Sequence, residues 1–177
     1  AEQELVVKLA DGSQYEYFDV PAELFQQLQG APSPVAFFNL NIWGNRFEHH
    51  TCWPSLEHLL EVMVEDWMFI EPATVGMRRA DGDTPLHIAC VWGDVTGVQM
   101  LLDAGAAPNA FGDSGCMALY DAVALGQMRC AKLLLAAGAT ADDANQVGVT
   151  ARQKALASTD LRLRELFVVD PSRVDDT

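Results

Sequence analysis

Thr84-Pro85-Leu86-His87-Ile88-Ala89, preceded by Asp81-Gly82 and followed by Gly93, is the stretch on which the fold turns. It reads as the start of a short helix. Thr84 can cap the first turn, and Pro85 at the first helical position leaves no N–H wanting a partner. Gly93 permits a sharp turn, after which Val98, Leu101 and Leu102 recur at helical spacing. Gly105-Ala106 then stops the second helix, where a residue with positive φ is wanted. Gly115 follows Gly82 by 33 residues, and the register repeats from there. Gly115, Leu119, Ala122, Gly126, Leu134, Leu135, Gly138 and Ala139 stand where Gly82, Leu86, Ala89, Gly93, Leu101, Leu102, Gly105 and Ala106 stood. A helix–turn–helix unit recurring at that period marks a solenoid. One such unit cannot bury its own apolar face, so its stability comes from stacking on its neighbours.

These residues, with Asn109 in the loop after the Gly-Ala stop, resemble the ankyrin repeat. The resemblance implies a protein-binding role, and nothing in the motif is catalytic. It also implies binding along a concave side, through finger tips and the open face of the first helices. On this chain those positions are Ala80, Asp81, Asp83, Val91 and Trp92 in one repeat. In the next they are Asp113, Ser114, Cys116, Ala124 and Leu125. Trp92 is the expected anchor, because Trp is favoured at interface centres and the motif does not need it for packing. The alternative is that Trp92 packs on the N-terminal residues. Asp121 replaces an apolar choice, so it either bonds Tyr120 or a neighbour or faces a cationic partner.

The flanks keep partial register. Leu56, Leu59, Leu60, Met63, Trp67 and Ile70 recur at helical spacing, which predicts one helix over 54–70 that caps the stack. Glu57, Glu61, Glu65, Asp66 and Glu71 give it an acidic outer face, read as a solvated cap rather than a partner site. Gly148 and Thr150 keep phase at the other end, and Arg152 and Lys154 replace apolar positions, as an end repeat requires. The expected fold class is α+β. A hairpin-plus-helix domain over 1–50 leads through a connecting, capping helix over 51–79 to an α-helical ankyrin-repeat solenoid over 80–169. Residues 170–177 form a tail.

The first fifty residues have their own pattern. Glu4 to Leu9 and Gln14 to Val20 alternate around Asp11-Gly12, which predicts two antiparallel strands joined by a hairpin turn. Pro21 then starts a helix whose apolar face is Leu24, Phe25 and Leu28, and Gly30 ends it. Phe37-Phe38-Asn39 and Ile42-Trp43 lead into a last short element. Asp11-Gly12-Ser13, Tyr15 to Pro21, Phe25, Leu28, Ala31, Ser33, Phe37-Phe38-Asn39 and Ile42 resemble the KTSC domain. That is a small bacterial and phage module also found attached to some lysyl-tRNA synthetases. Tyr15, Tyr17, Phe18, Phe37 and Phe38 are expected to pack as a small core. A base-stacking platform would interleave them with Arg and Lys, and Lys8 and Arg46 are the only such cations before Arg78.

The formal net charge is −14. That disfavours nucleic acid and anionic membranes and complements a basic protein partner. The chain has no apolar run of about 18 residues, so no spanning helix is expected. The first ten residues lack the pattern of a signal peptide. Cys52, Cys90, Cys116 and Cys130 show no paired spacing, which suits a reducing cytoplasm. Glu48-His49-His50-Thr51-Cys52 and His58 carry zinc-ligand residue types without a zinc-site spacing, so a junction between modules is expected there. No catalytic residue, metal or cofactor is expected, and nothing points to a small-molecule ligand. Together these features favour a bacterial immunity or inhibitor protein that occludes a basic toxin. The alternatives are an adaptor using the same face and an RNA- or tRNA-related accessory factor.

Overall fold

In a computed structural model of the protein, the structure describes residues 5–8, 14–18, 20–33, 49–67 and 73–168. Strands β1 (Leu5–Lys8) and β2 (Gln14–Tyr17) form the expected antiparallel hairpin, with Leu5 opposite Tyr17 and Lys8 opposite Gln14. Helix α1 (Ala22–Gly30) follows, with Pro21 as its N-cap rather than its first helical residue. Leu24 and Leu28 join Leu5, Val7, Tyr15, Tyr17 and Val20 in a small apolar cluster, whereas Phe25 is exposed. Phe18 leaves that cluster for the main core. Phe37, Phe38, Ile42 and Trp43 lie outside the described residues.

A third strand, β3 (His49–Thr51), adds to the free side of β2 and pairs Tyr15 with Thr51 and Tyr17 with His49. The expected division at residues 50/51 therefore falls inside a strand. Helix α2 (Leu56–Trp67) comes next, shorter within the described residues than the predicted 54–70. The stack then runs as α3 (Pro85–Trp92), α4 (Val95–Asp103), α5 (Ala118–Ala124), α6 (Met128–Ala136), α7 (Ala151–Leu156) and α8 (Leu161–Phe167). First helices α3, α5 and α7 pack in one row, and second helices α4, α6 and α8 in another. Helix α2 packs on α4 and so precedes the second row. Leu59, Met63, Leu86, Val98, Leu101, Leu119, Ala122 and Leu134 are buried in one continuous core.

The turn chemistry is as the residues demand. Thr84 is the N-cap of α3, Pro85 its first residue, and Gly93 closes it in the left-handed conformation at φ 73°. The end pair adds a side-chain clamp to the apolar contact of Ala151, Ala155 and Phe167. Arg152 donates to both Asp142 oxygens at 2.6 and 3.0 Å and to the Phe167 carbonyl at 2.7 Å. That arrangement holds the Asp142 carboxyl below its usual range.

Candidate functional site

Each helix pair is joined to the next by an extended hairpin, or finger, and side chains lace neighbouring fingers together. Asp83 Oδ1 accepts from the Asp113 N–H at 2.9 Å, tying the first finger to the second. Asn109 accepts from the Thr140 N–H at 2.8 Å and donates to the Gly138 carbonyl at 3.0 Å. Gly112 lies so close to Asp83 and His87 that a Cβ there would meet the imidazole Nε2 at 2.7 Å. No larger residue fits between them. Ser114, at the second finger tip, adopts a positive φ of 54°, and its carbonyl accepts from the Gln146 N–H at 3.0 Å.

His87 is a structural hub. Its Nδ1 accepts from the Thr84 N–H at 3.2 Å and meets Thr84 Oγ1 at 2.8 Å. Nε2 therefore carries the proton and donates to the Cys116 carbonyl at 3.3 Å. Burial holds its pKa below the ordinary value, while Asp83 and that carbonyl pull the other way. The neutral tautomer that serves both bonds is thus the one that burial favours.

The sequence-derived contact positions sort into three groups. Ala80, Asp81, Asp113, Ser114 and Ala124 are exposed, and Asp83, Val91, Cys116, Asp121 and Leu125 are partly buried. Trp92 is partly buried and packs against the main core. Truncating it therefore removes packing as well as an anchor. Asp81 is held by Arg79 at 3.0 Å. Burial pushes the Cys116 thiol above its usual range. The structure also brings together acids that the sequence showed only one by one. Asp121 projects from α5 close enough to Asp83 and Asp113 to feel both charges. Burial first, and then those two carboxylates, raise its pKa from 3.8 to about 7.

The sign of that shift is testable. Between 3.8 and about 7 the folded state binds the Asp121 proton more tightly than the unfolded state does. Its contribution to stability is therefore lost as pH rises through that window. Asp121→Asn should remove the dependence. It should raise stability above neutral pH by on the order of 1–2 kcal/mol, after discounting for solvent screening. Urea denaturation of both proteins across the window checks this, and parallel pH profiles would contradict it.

A repeating helix pair, fingers laced across neighbours and, at α3, a His buried beneath the finger are the marks of one architecture. Among family models, one for ankyrin repeats (three copies) matches residues 56–147, just over half of the chain. The chain belongs to the ankyrin-repeat family. Such repeats are protein–protein interaction modules. A KTSC domain model matches residues 1–47. A search of curated proteins finds no match. The ankyrin match ends at residue 147, yet α7 and α8 stack as one further pair beyond it.

The His-Cys stretch does not converge on one point. His49 stacks near Tyr17 with ring centroids 5.1 Å apart, and His50 Nδ1 meets Thr96 Oγ1 at 2.8 Å. Cys52 is exposed, and His58 faces Glu61 at 3.9 Å. Among the described residues no three His, Cys, Asp or Glu side chains are grouped to hold a metal ion. Likewise, no described helix is long and apolar enough to cross a membrane.

Proposed function

We propose that this ankyrin protein is a non-catalytic, cytoplasmic binding protein that occludes a basic protein, as a bacterial immunity protein occludes its toxin. The observation that carries the reading is the convergence of Asp83, Asp113 and Asp121 between the fingers and the first helices. Opposite charge across an interface speeds encounter and fixes register. A partner's Lys or Arg seated beside Asp121 would stabilise its carboxylate and drive off the proton that burial retains. Affinity for the partner should therefore rise with pH through about 7. The overall charge of −14 adds long-range attraction to the same kind of partner.

The test is a binding measurement on a basic protein that the chain captures. Trp92→Ala should weaken binding by more than about 1 kcal/mol, with circular dichroism confirming that the stack persists. Association should slow as salt is raised, since exposed charges are screened beyond about 8 Å at physiological ionic strength. An on-rate indifferent to salt would remove the electrostatic part of the reading. A translation enzyme or RNA as the bound species would instead favour an accessory role centred on the KTSC domain.

A further inference from the structure

Asp94 opens α4, where an Asp usually accepts a hydrogen bond from the backbone N–H groups of the first turn. Other helices among the described residues are capped that way, α2 by Ser55, which accepts from the His58 N–H at 3.1 Å. Thr150 accepts from the Gln153 N–H at 3.1 Å, and Asp160 from the Arg162 N–H at 2.9 Å. The Asp94 side chain makes no such bond. It is fully buried, and Oδ2 instead accepts from the Trp53 indole N–H, across 41 residues of sequence. Its other oxygen, Oδ1, has no hydrogen-bond partner among the described residues.

The surroundings point the same way. The His49 N–H donates to the Gly93 carbonyl at 2.9 Å, so β3 is bonded to β2 on one side and to the first repeat's interhelical turn on the other. His50 reaches Thr96 on α4. Phe18 lies between His50, at 4.9 Å between centroids, and the Arg129 guanidinium of α6, at 3.9 Å from the ring. Tyr17 is near enough to Asp94 to sense its charge. The sheet thus touches the first two clear repeats.

Gly97 supplies an independent sign. It lies inside α4, where glycine is unfavourable relative to alanine by about 1 kcal/mol. A Cβ at Gly97 would come within 2.5 Å of Asp94 Oδ2. The helix therefore carries a glycine where the Asp94–Trp53 contact needs the space.

We infer that Asp94, Trp53 and Gly97 form a latch that fastens the N-terminal sheet onto the turn side of the first repeat, so that sheet and stack unfold as one cooperative unit. The sheet is then the working N-terminal cap of the stack. A partner reaches the first repeat only from its fingers and first helix, because the turn side is taken.

Equilibrium urea unfolding and amide hydrogen exchange on the full chain test this. The wild-type chain should show one transition. Gly97→Ala should lower its midpoint, the reverse of what the exchange does at an ordinary helix glycine. With circular dichroism to check that the fold persists, Trp53→Phe keeps an aromatic ring but removes the indole N–H and part of the bicycle. It should quicken exchange about tenfold or more in β1 and β2 and in α4 together. Two transitions in the wild-type chain would overturn the inference. So would a midpoint raised by Gly97→Ala, or Trp53→Phe loosening the strands while α4 keeps its protection.

Discussion

Leu119→Ala should cost about 2–5 kcal/mol of stability, the range for a buried leucine truncated in a core that cannot collapse around the gap. Leu119 is fully buried on α5, the middle first helix, with α3 on one side and α7 on the other. A short solenoid has only nearest-neighbour interfaces, so a cavity here weakens both contacts of the central pair. With native domains stable by about 5–15 kcal/mol, a substitution of this size leaves a large unfolded fraction well below the denaturation temperature of the wild type. Urea denaturation measures the loss directly. A cost under about 1 kcal/mol would mean that α5 is not the centre of the stack.

His87→Ala should cost about 2–4 kcal/mol, from lost packing volume and from a buried donor and acceptor left unpaired. The groups left behind are the Thr84 N–H and the Cys116 carbonyl. His87→Gln should cost less, because an amide can accept from one and donate to the other. The pH dependence separates the two effects. Burial holds the folded pKa below the ordinary 6.5, so the unfolded state takes up the proton first as pH falls. The stability present above 6.5 is then lost as pH drops through the folded value, a slope opposite in sign to that of Asp121. In His87→Gln the acid-side loss should be absent. A variant that still loses stability over that interval would place its cause in another residue.

The stack was legible because its determinants are local. A cap, a proline, a left-handed glycine and an apolar pair at fixed spacing specify each unit, and the 33-residue recurrence from Gly82 to Gly115 specifies the stacking. The hairpin of β1 and β2 followed from alternation around Asp11-Gly12 for the same reason. Strand β3 did not, since a three-residue His-His-Thr segment has neither a period nor a strong strand preference, and its pairing is set by β2 and Gly93. The departure of Phe18 from its neighbours into the main core is also decided by tertiary contact. The acidic residues of the candidate site were each visible, but their convergence on Asp121 depends on two fingers and a helix being stacked. Gly97 was the one available signal for the latch. A glycine inside an otherwise apolar helix asks what lies against it.

Affinity capture by two variants, each stripped of three carboxyl groups, tests the acidic-cluster reading most directly. In one, Asp83, Asp113 and Asp121 become asparagine, which keeps the acceptor that Asp83 offers to the Asp113 N–H. In the other, Glu57 and Glu61 on α2 become glutamine and the exposed Asp103 on α4 becomes asparagine, so each protein loses three carboxyl groups. The comparison is made above about pH 8, where Asp121 is ionised. The account predicts that a basic protein captured stoichiometrically by the wild-type chain is lost with the first variant and retained with the second. Equal retention by both, or loss with the second alone, would contradict it.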